Sequence, residues 1–197
     1  MRIFNPESLL WKPLGVLGDF VMLSLLWTFF SIPLLTLGTA SAALYDTAVH
    51  SIRRREDTVI VRFFSTFKRE LKQGVLSSLL TIGTAGLLFF LPLLIFRRQP
   101  DWQYLLAVWF LLAFFLLCIL CWLWPALSRF RMRLGTLYVN SLKLAFGHIL
   151  QSALMAIVWG AVLYIGLRFI APLFVCPALA AFLSSFLIEP VFHKYEE

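Results

Sequence analysis

The chain has 197 residues, 61% of them hydrophobic and 14% charged, with a formal net charge of +7. Soluble domains run near about 45–50% apolar and about 25% charged, so a water-soluble monomer is excluded; the basic excess reads as loop charge facing anionic lipid headgroups, with no nucleic-acid partner. The three cysteines sit in apolar segments without His or Asp at metal-ligand spacing, which argues against a disulfide framework, a metal site or a bound cofactor.

A lead containing Asn5-Pro6 and Lys12-Pro13 comes first, and Pro6 to Trp11 reads as an interfacial segment with Trp11 at headgroup level. The first uncharged run, Phe20 to Tyr45, is too long for a typical signal core of about 7–15 residues, so Ala40-Ser41-Ala42 is not taken as a cleavage site. It predicts a first span near 17–38. At its end stands the densest local pattern, Ser31 to Tyr45. Pro33 removes a helix hydrogen bond, Gly38 can kink the backbone, and Thr36, Thr39 and Ser41 can re-satisfy freed carbonyls. Gly38, Ala42 and Tyr45 fall on nearly one face, so Pro33, Thr36, Gly38, Ala42 and Tyr45 form a helix-packing seam, with a substrate site at a broken helix as the alternative.

The loop 46–73 opens with Arg53-Arg54-Arg55-Glu56-Asp57. It continues as a short amphipathic helix capped by Asp57 or Thr58, with Ile60, Phe63, Phe64, Phe67 and Leu71 on one face and Arg62, Lys68, Arg69 and Lys72 on the other. Three uses fit that apolar face: lying on lipid, packing on the bundle, or docking a partner through Phe63, Phe64, Phe67, Lys68 and Arg69. Spans at 74–96 and 102–125 follow. Roughly twenty apolar residues at about 1.5 Å rise cross a hydrocarbon core of about 30 Å. Cys118 and Cys121 form a Cys-x-x-Cys in mid-span, where packing is the expected role.

The second loop, 126–147, shows a similar stripe at Leu127, Phe130, Leu134, Leu137, Tyr138 and Ser141. The last spans, 148–168 and 171–188, are separated only by Arg168 to Pro172, which demands a tight hairpin or a broken pair. Phe67-Lys68 before Gly74 and Leu142-Lys143 before Gly147 form a faint internal echo. The expected architecture is an all-α polytopic membrane bundle of one domain, 1–197, with about five transmembrane helices and short amphipathic cytoplasmic helices. If five helices alternate, the loops 46–73 and 126–147 and Lys194 share one side with twelve Lys and Arg, against five on the other. The positive-inside rule then puts the N-terminus outside and the C-terminus in the cytoplasm.

Spans two and three hold no ionisable side chain beyond the two cysteines and Tyr104. An ion-coupled transporter normally keeps such a group near the midplane. Asp19, His148, Gln151 and Glu189 read as interfacial or capping groups, and His193 stands four residues after Glu189, across Pro190. No nucleophile elbow, Walker loop or paired-His motif appears, so no catalytic residue is assigned and the chain is read as a non-enzyme.

At Pro33, Thr36, Gly38, Ala42, Ala43, Leu44 and Tyr45 the chain resembles the YesL family of small bacterial membrane proteins, also called domain of unknown function 624. It does so again at Phe63, Phe64, Phe67 and Lys68 and in the Arg129-Phe130 loop. Thr39 departs from the Pro usual after the glycine, and Ser24 stands where Asn is common. The resemblance implies a protein of the bacterial cytoplasmic membrane without established activity, often encoded beside carbohydrate ABC importers. The leading expectation is an accessory or assembly partner of a membrane complex such as a carbohydrate ABC importer, with importer subunits or further copies of itself as partners. The alternative is a self-contained small-molecule transporter or channel working at the Pro33/Gly38 break.

Overall fold

The computed structural model describes residues 11–96, 103–130, 132–168 and 174–196, and these are helical apart from short connections. The interfacial lead lies outside the described residues except for the Trp11 backbone, as do the Arg97-Arg98 connection and most of the Arg168 to Pro172 turn.

Helix α1, Trp11–Ser31, stops two residues before Pro33. Proline bars the helical conformation from the residue before it and supplies no N–H. A single 3-10 turn, Leu34–Thr36, bridges to α2, Leu37–Thr47, and a π-helical turn, Ala48–Arg53, extends it. The chain reverses at this break. Trp27 Nε1 donates to Ser41 Oγ at 3.1 Å, and Gly15, Val16 and Asp19 share a surface cavity with Ser51, Arg55 and Thr58. The expected first span, 17–38, is therefore corrected to a helical hairpin whose tip is Ser31–Thr36. The start of α1 lies at the same end of the bundle as the basic loop, which removes the alternation on which an N-terminus outside rested.

Helix α3, Val59–Phe96, is continuous for 38 residues, about 57 Å at about 1.5 Å per residue. The amphipathic loop helix and the span at 74–96 are thus one element, not two. A lone interior Gly such as Gly74 costs only about 1 kcal/mol of helix propensity and no proline intervenes, so nothing local ends the helix between them. Helix α4, Gln103–Arg129, returns antiparallel to it: Trp109 Nε1 donates to Leu88 O at 2.7 Å near one end, and Arg69 Nη2 to Ser128 O at 2.9 Å near the other. Helices α5, Leu134–Gly147, and α6, Ile149–Arg168, meet at a 102° bend around His148. The echo between Gly74 and Gly147 has no structural counterpart, since one glycine is mid-helix and the other borders this bend. Helix α7, Cys176–Glu196, runs through Pro190, so Glu189 and His193 do come within pairing range, at 4.0 Å.

Among the described residues, Val59–Leu88, Ala107–Arg129 and Cys176–Lys194 are long and apolar enough to cross a membrane, and the bent α5–α6 pair makes a fourth if counted as one. The count is three or four, against the five expected from the apolar runs, because Gly15–Ser31 is short and turns back. The core has two lobes. One gathers Trp122, Leu127, Leu137, Met155, Ile188 and Phe192; the other gathers Leu23, Leu44, Phe63, Phe67, Ala178 and Ala181. Phe63 and Phe67 sit in that second lobe against Phe30, with ring centroids 5.9 and 4.9 Å away, and Phe64 meets Phe30 edge-on at 5.4 Å. Phe63 and Phe67 of the loop helix's apolar face thus pack on the bundle, while Ile60 and Leu71 at its two ends stay exposed. In the second loop's stripe, Leu127, Leu137 and Ser141 are likewise buried.

Candidate functional site

The seam at the start of α2 forms as its small residues require. A Cβ on Gly38 would lie 2.9 Å from Gly74 O and equally close to Ser78 Oγ; one on Gly74 would lie 2.7 Å from the Thr39 Cα. Gly38 N–H donates to Ser78 Oγ at 2.7 Å, while Ser77 and Ser78 both donate to Gly74 O at 2.8 Å. The backbone group freed at the break is thus satisfied by a neighbouring helix, and the seam is closed by packing. Thr36 Oγ1 donates back to Pro33 O at 2.8 Å, and Pro33 itself stays exposed at the tip. Ala42 and Tyr45 continue the seam inward as buried core residues.

One turn further on, the seam ends in a cluster of charges. Asp46, in the last turn of α2, is buried and accepts two bonds from Arg62, Nε at 2.6 Å and Nη2 at 3.1 Å, and one from Thr66 Oγ1 at 2.6 Å. His50 Nδ1 lies 3.3 Å from the same carboxylate. Burial alone would raise the Asp46 pKa, but the bonds from His50, Arg62 and Thr66 outweigh it and hold the carboxyl well below the usual carboxylate range. His50 moves up in turn, through its hydrogen bond to Asp46 and against the opposing effect of burial.

Glu189 of α7, also buried, binds Arg129 Nη1 at 2.5 Å and Arg54 Nη2 at 2.9 Å. Arg54 follows the π turn and precedes Arg55, whose φ of 56° lies in the left-handed region that non-glycine residues rarely take. That turn is fastened by Glu56 N–H donating to His50 O at 2.9 Å. Arg53 reaches the same helix, donating to Ser185 O at 3.0 Å with its guanidinium 4.5 Å over the Phe186 ring. Arg69 pairs with the buried Glu70 at 2.7 Å and joins α3 to α4 through Ser128 O; Lys68 and Arg69 are both exposed.

These side chains surround a cavity of about 310 Å³ at the charged end of the bundle. Tyr45 lines it and also lines a second cavity, about 230 Å³, walled by Trp27, Trp124, Trp159, Leu117 and Leu120 in the middle of the bundle. The Tyr45 hydroxyl is buried and has no hydrogen-bond partner among the described residues. Of the residues assigned from sequence to the seam or the docking face, Tyr45 and Arg69 line the charged cavity. Asp46, His50, Arg54, Arg62, Glu70 and Arg129 carried no site assignment, and Glu189 was read as a capping group. One signal was available: Asp46 directly follows an uncharged run of 26 residues, Phe20 to Tyr45, where a lone carboxylate calls for a partner. Cys118, Cys121 and Cys176 are free thiols, and no group of three metal-ligating residues occurs among the described residues.

Fold and site together define a helical bundle, with helices apolar enough for a membrane, an N-terminal helical hairpin and an ion-paired polar end. Residues 20–90, which include α2, the π turn and most of α3, match the family described as Protein of unknown function, DUF624. No curated protein and no solved structure matches the chain.

Proposed function

We propose that this chain is a non-enzymatic partner protein of a membrane complex, held in the cell membrane with its charged end in the cytoplasm. A carbohydrate ABC importer is the first candidate complex, on the strength of the family resemblance. The observation that carries the reading is how little of the α3–α4 hairpin the chain itself covers. In the most apolar stretch of each helix 22% of residues are buried, against 56% in α7. Leu79, Leu87 and Phe90 on α3 and Val108, Phe110 and Leu111 on α4 stand exposed. In a bilayer that wall faces lipid or the helices of another protein, and association there proceeds by packing rather than by hydrophobic expulsion. The closed Gly38–Gly74 seam and the ion-paired polar end favour this reading over a transport path through the bundle.

Photocrosslinking amino acids at Leu87 and Phe110, activated in native membranes and followed by mass spectrometry, test it. Capture of permease subunits at both positions is the expected result. Adducts to lipid alone, or to further copies of this chain alone, overturn it. The aromatic trio Phe63, Phe64 and Phe67 is unsuitable as the target, since polar substitutions there would open the core.

A further inference from the structure

A second hollow at the charged end, an open groove of about 700 Å³, lies between α3 and the turn into α5. Its charged walls are Lys68, Arg69, Glu70 and Lys72 on α3 and Arg133 at the start of α5. Glu70, the lone carboxylate among them, is buried and already paired with Arg69 at 2.7 Å. Lys68, Lys72 and Arg133 remain. All three are exposed, and their side chains make no ion pair or hydrogen bond among the described residues. A cleft lined by one sign of charge concentrates its field on whatever enters, so this groove attracts anions.

The fold fixes both walls of the groove. Tyr138 of α5 donates its hydroxyl hydrogen to Ser77 O of α3 at 3.1 Å, about one turn past Gln73, and Asn140 Nδ2 donates to Sδ of Met132, which lines the groove beside Arg133, at 3.4 Å. Its depth is equally defined. Lys72 is the last charged residue of α3, since the helix carries none from Gln73 to Phe96. Leu76 and Leu79, four and seven residues after Lys72 and so on the same side of the helix, are exposed. The free cations therefore stand where a basic face gives way to an apolar one. A phospholipid has the same order, with its phosphate on the polar side and its acyl chains on the other. A soluble anion would engage the cations and leave Leu76 and Leu79 bare, so the juxtaposition favours a lipid.

We propose that the groove between α3 and the start of α5 seats the headgroup of an anionic phospholipid. Lys68, Lys72 and Arg133 hold the headgroup phosphate, Arg133 through its planar fork and the lysines as point charges, and the acyl chains run along α3 past Leu76 and Leu79. Basic pockets between membrane helices hold anionic headgroups by this means. The inference does not rest on the partner reading, whose wall is probed about two turns further along α3, at Leu87.

The test uses the full chain purified in an uncharged detergent, with thermal unfolding read against three probes. These are phosphatidylglycerol, the zwitterionic phosphatidylcholine, and inorganic phosphate compared with chloride at equal ionic strength. Stabilisation by phosphatidylglycerol alone is the expected result. The double variant Lys68→Gln/Lys72→Gln should bind it roughly tenfold to thirtyfold more weakly, the effect of two basic residues at an anionic headgroup. Lys143→Gln/Lys194→Gln removes the same charge from exposed positions outside the groove and should bind as the parent does. Without lipid both variants should unfold at the parent's temperature, because each loses only exposed, unpaired side chains. Failure of phosphatidylglycerol to stabilise the chain overturns the proposal. So does equal stabilisation by phosphatidylcholine, which would rest on the chains alone, or by inorganic phosphate, which would make the groove a site for soluble anions. Equal weakening in the two double variants would reduce the effect to net charge and overturn it as well.

Discussion

Asp46 shows how a single carboxylate organises the charged end. It accepts from Arg62, Thr66 and His50 and so ties α2 and the π turn to α3. Its folded pKa lies below its unfolded value, so its contribution is present above about pH 3.9 and lost as pH falls further. His50 has the opposite sign. Its folded pKa is raised, so its contribution is complete below about pH 6.5 and lost as pH rises through the folded value. Thermal unfolding of the full chain in uncharged detergent should therefore show a plateau with an acid limb and a weaker alkaline limb. In Asp46→Asn both limbs should flatten, since both depend on one carboxylate, and stability at neutral pH should fall by about 1.5–3 kcal/mol, the worth of hydrogen bonds to a charged group. An Asp46→Asn profile running parallel to the parent at all pH values would show that the stability is held elsewhere.

At the scale of the element, the decisive feature is the seam between α2 and α3, two antiparallel helices brought close by glycine. Gly74→Ala would drive a methyl into the Thr39 backbone, at 2.7 Å from its Cα, which no rotamer change relieves. We expect it to cost about 1–3 kcal/mol, the usual range for overpacking, while Gly83→Ala, with nothing within 4 Å, should be neutral or stabilising by up to about 1 kcal/mol. Equal effects of the two in an unfolding titration would refute the seam. Its residues were readable beforehand, because Gly38, Ala42 and Tyr45 share a helical face and Pro33 must interrupt a helix. The partner side was not. Gly74 looks like any glycine before a span, and only the fold brings it against Thr39. The loop helix shows the converse limit: its period puts Phe63 and Phe67 on one buried face, but period alone does not say whether Phe63 meets lipid, a partner or Phe30, nor that Ile60 and Leu71 stay exposed.

For the molecule as a whole, the apolar runs disclosed the helices, yet hydropathy cannot distinguish a crossing from a return. The reversal at Pro33 and the pairing of Glu189 with Arg54 and Arg129, separated by 135 and 60 positions in sequence, both arise from tertiary structure. Once α1 and α2 are a hairpin, the start of α1, the basic loop, the end of α4 and the end of α7 lie together. Arg54, Arg129 and Glu189 bind three of those segments, and the cavity shared by Asp19 and Arg55 adds the fourth. Under the positive-inside rule we predict that the start of α1 and the end of α7 both face the cytoplasm. Single cysteines at Asp19, Arg55 and Lys194, all exposed, give the check in a background whose native cysteines are replaced by Ala. In intact cells a membrane-impermeant maleimide should leave all three unlabelled and should label all three in inverted vesicles, whereas a cysteine at Arg97, just past α3, should show the reverse. Labelling of Asp19→Cys from the side opposite Arg55→Cys would mean that α1 crosses the membrane after all, and the N-terminal hairpin would have to be abandoned.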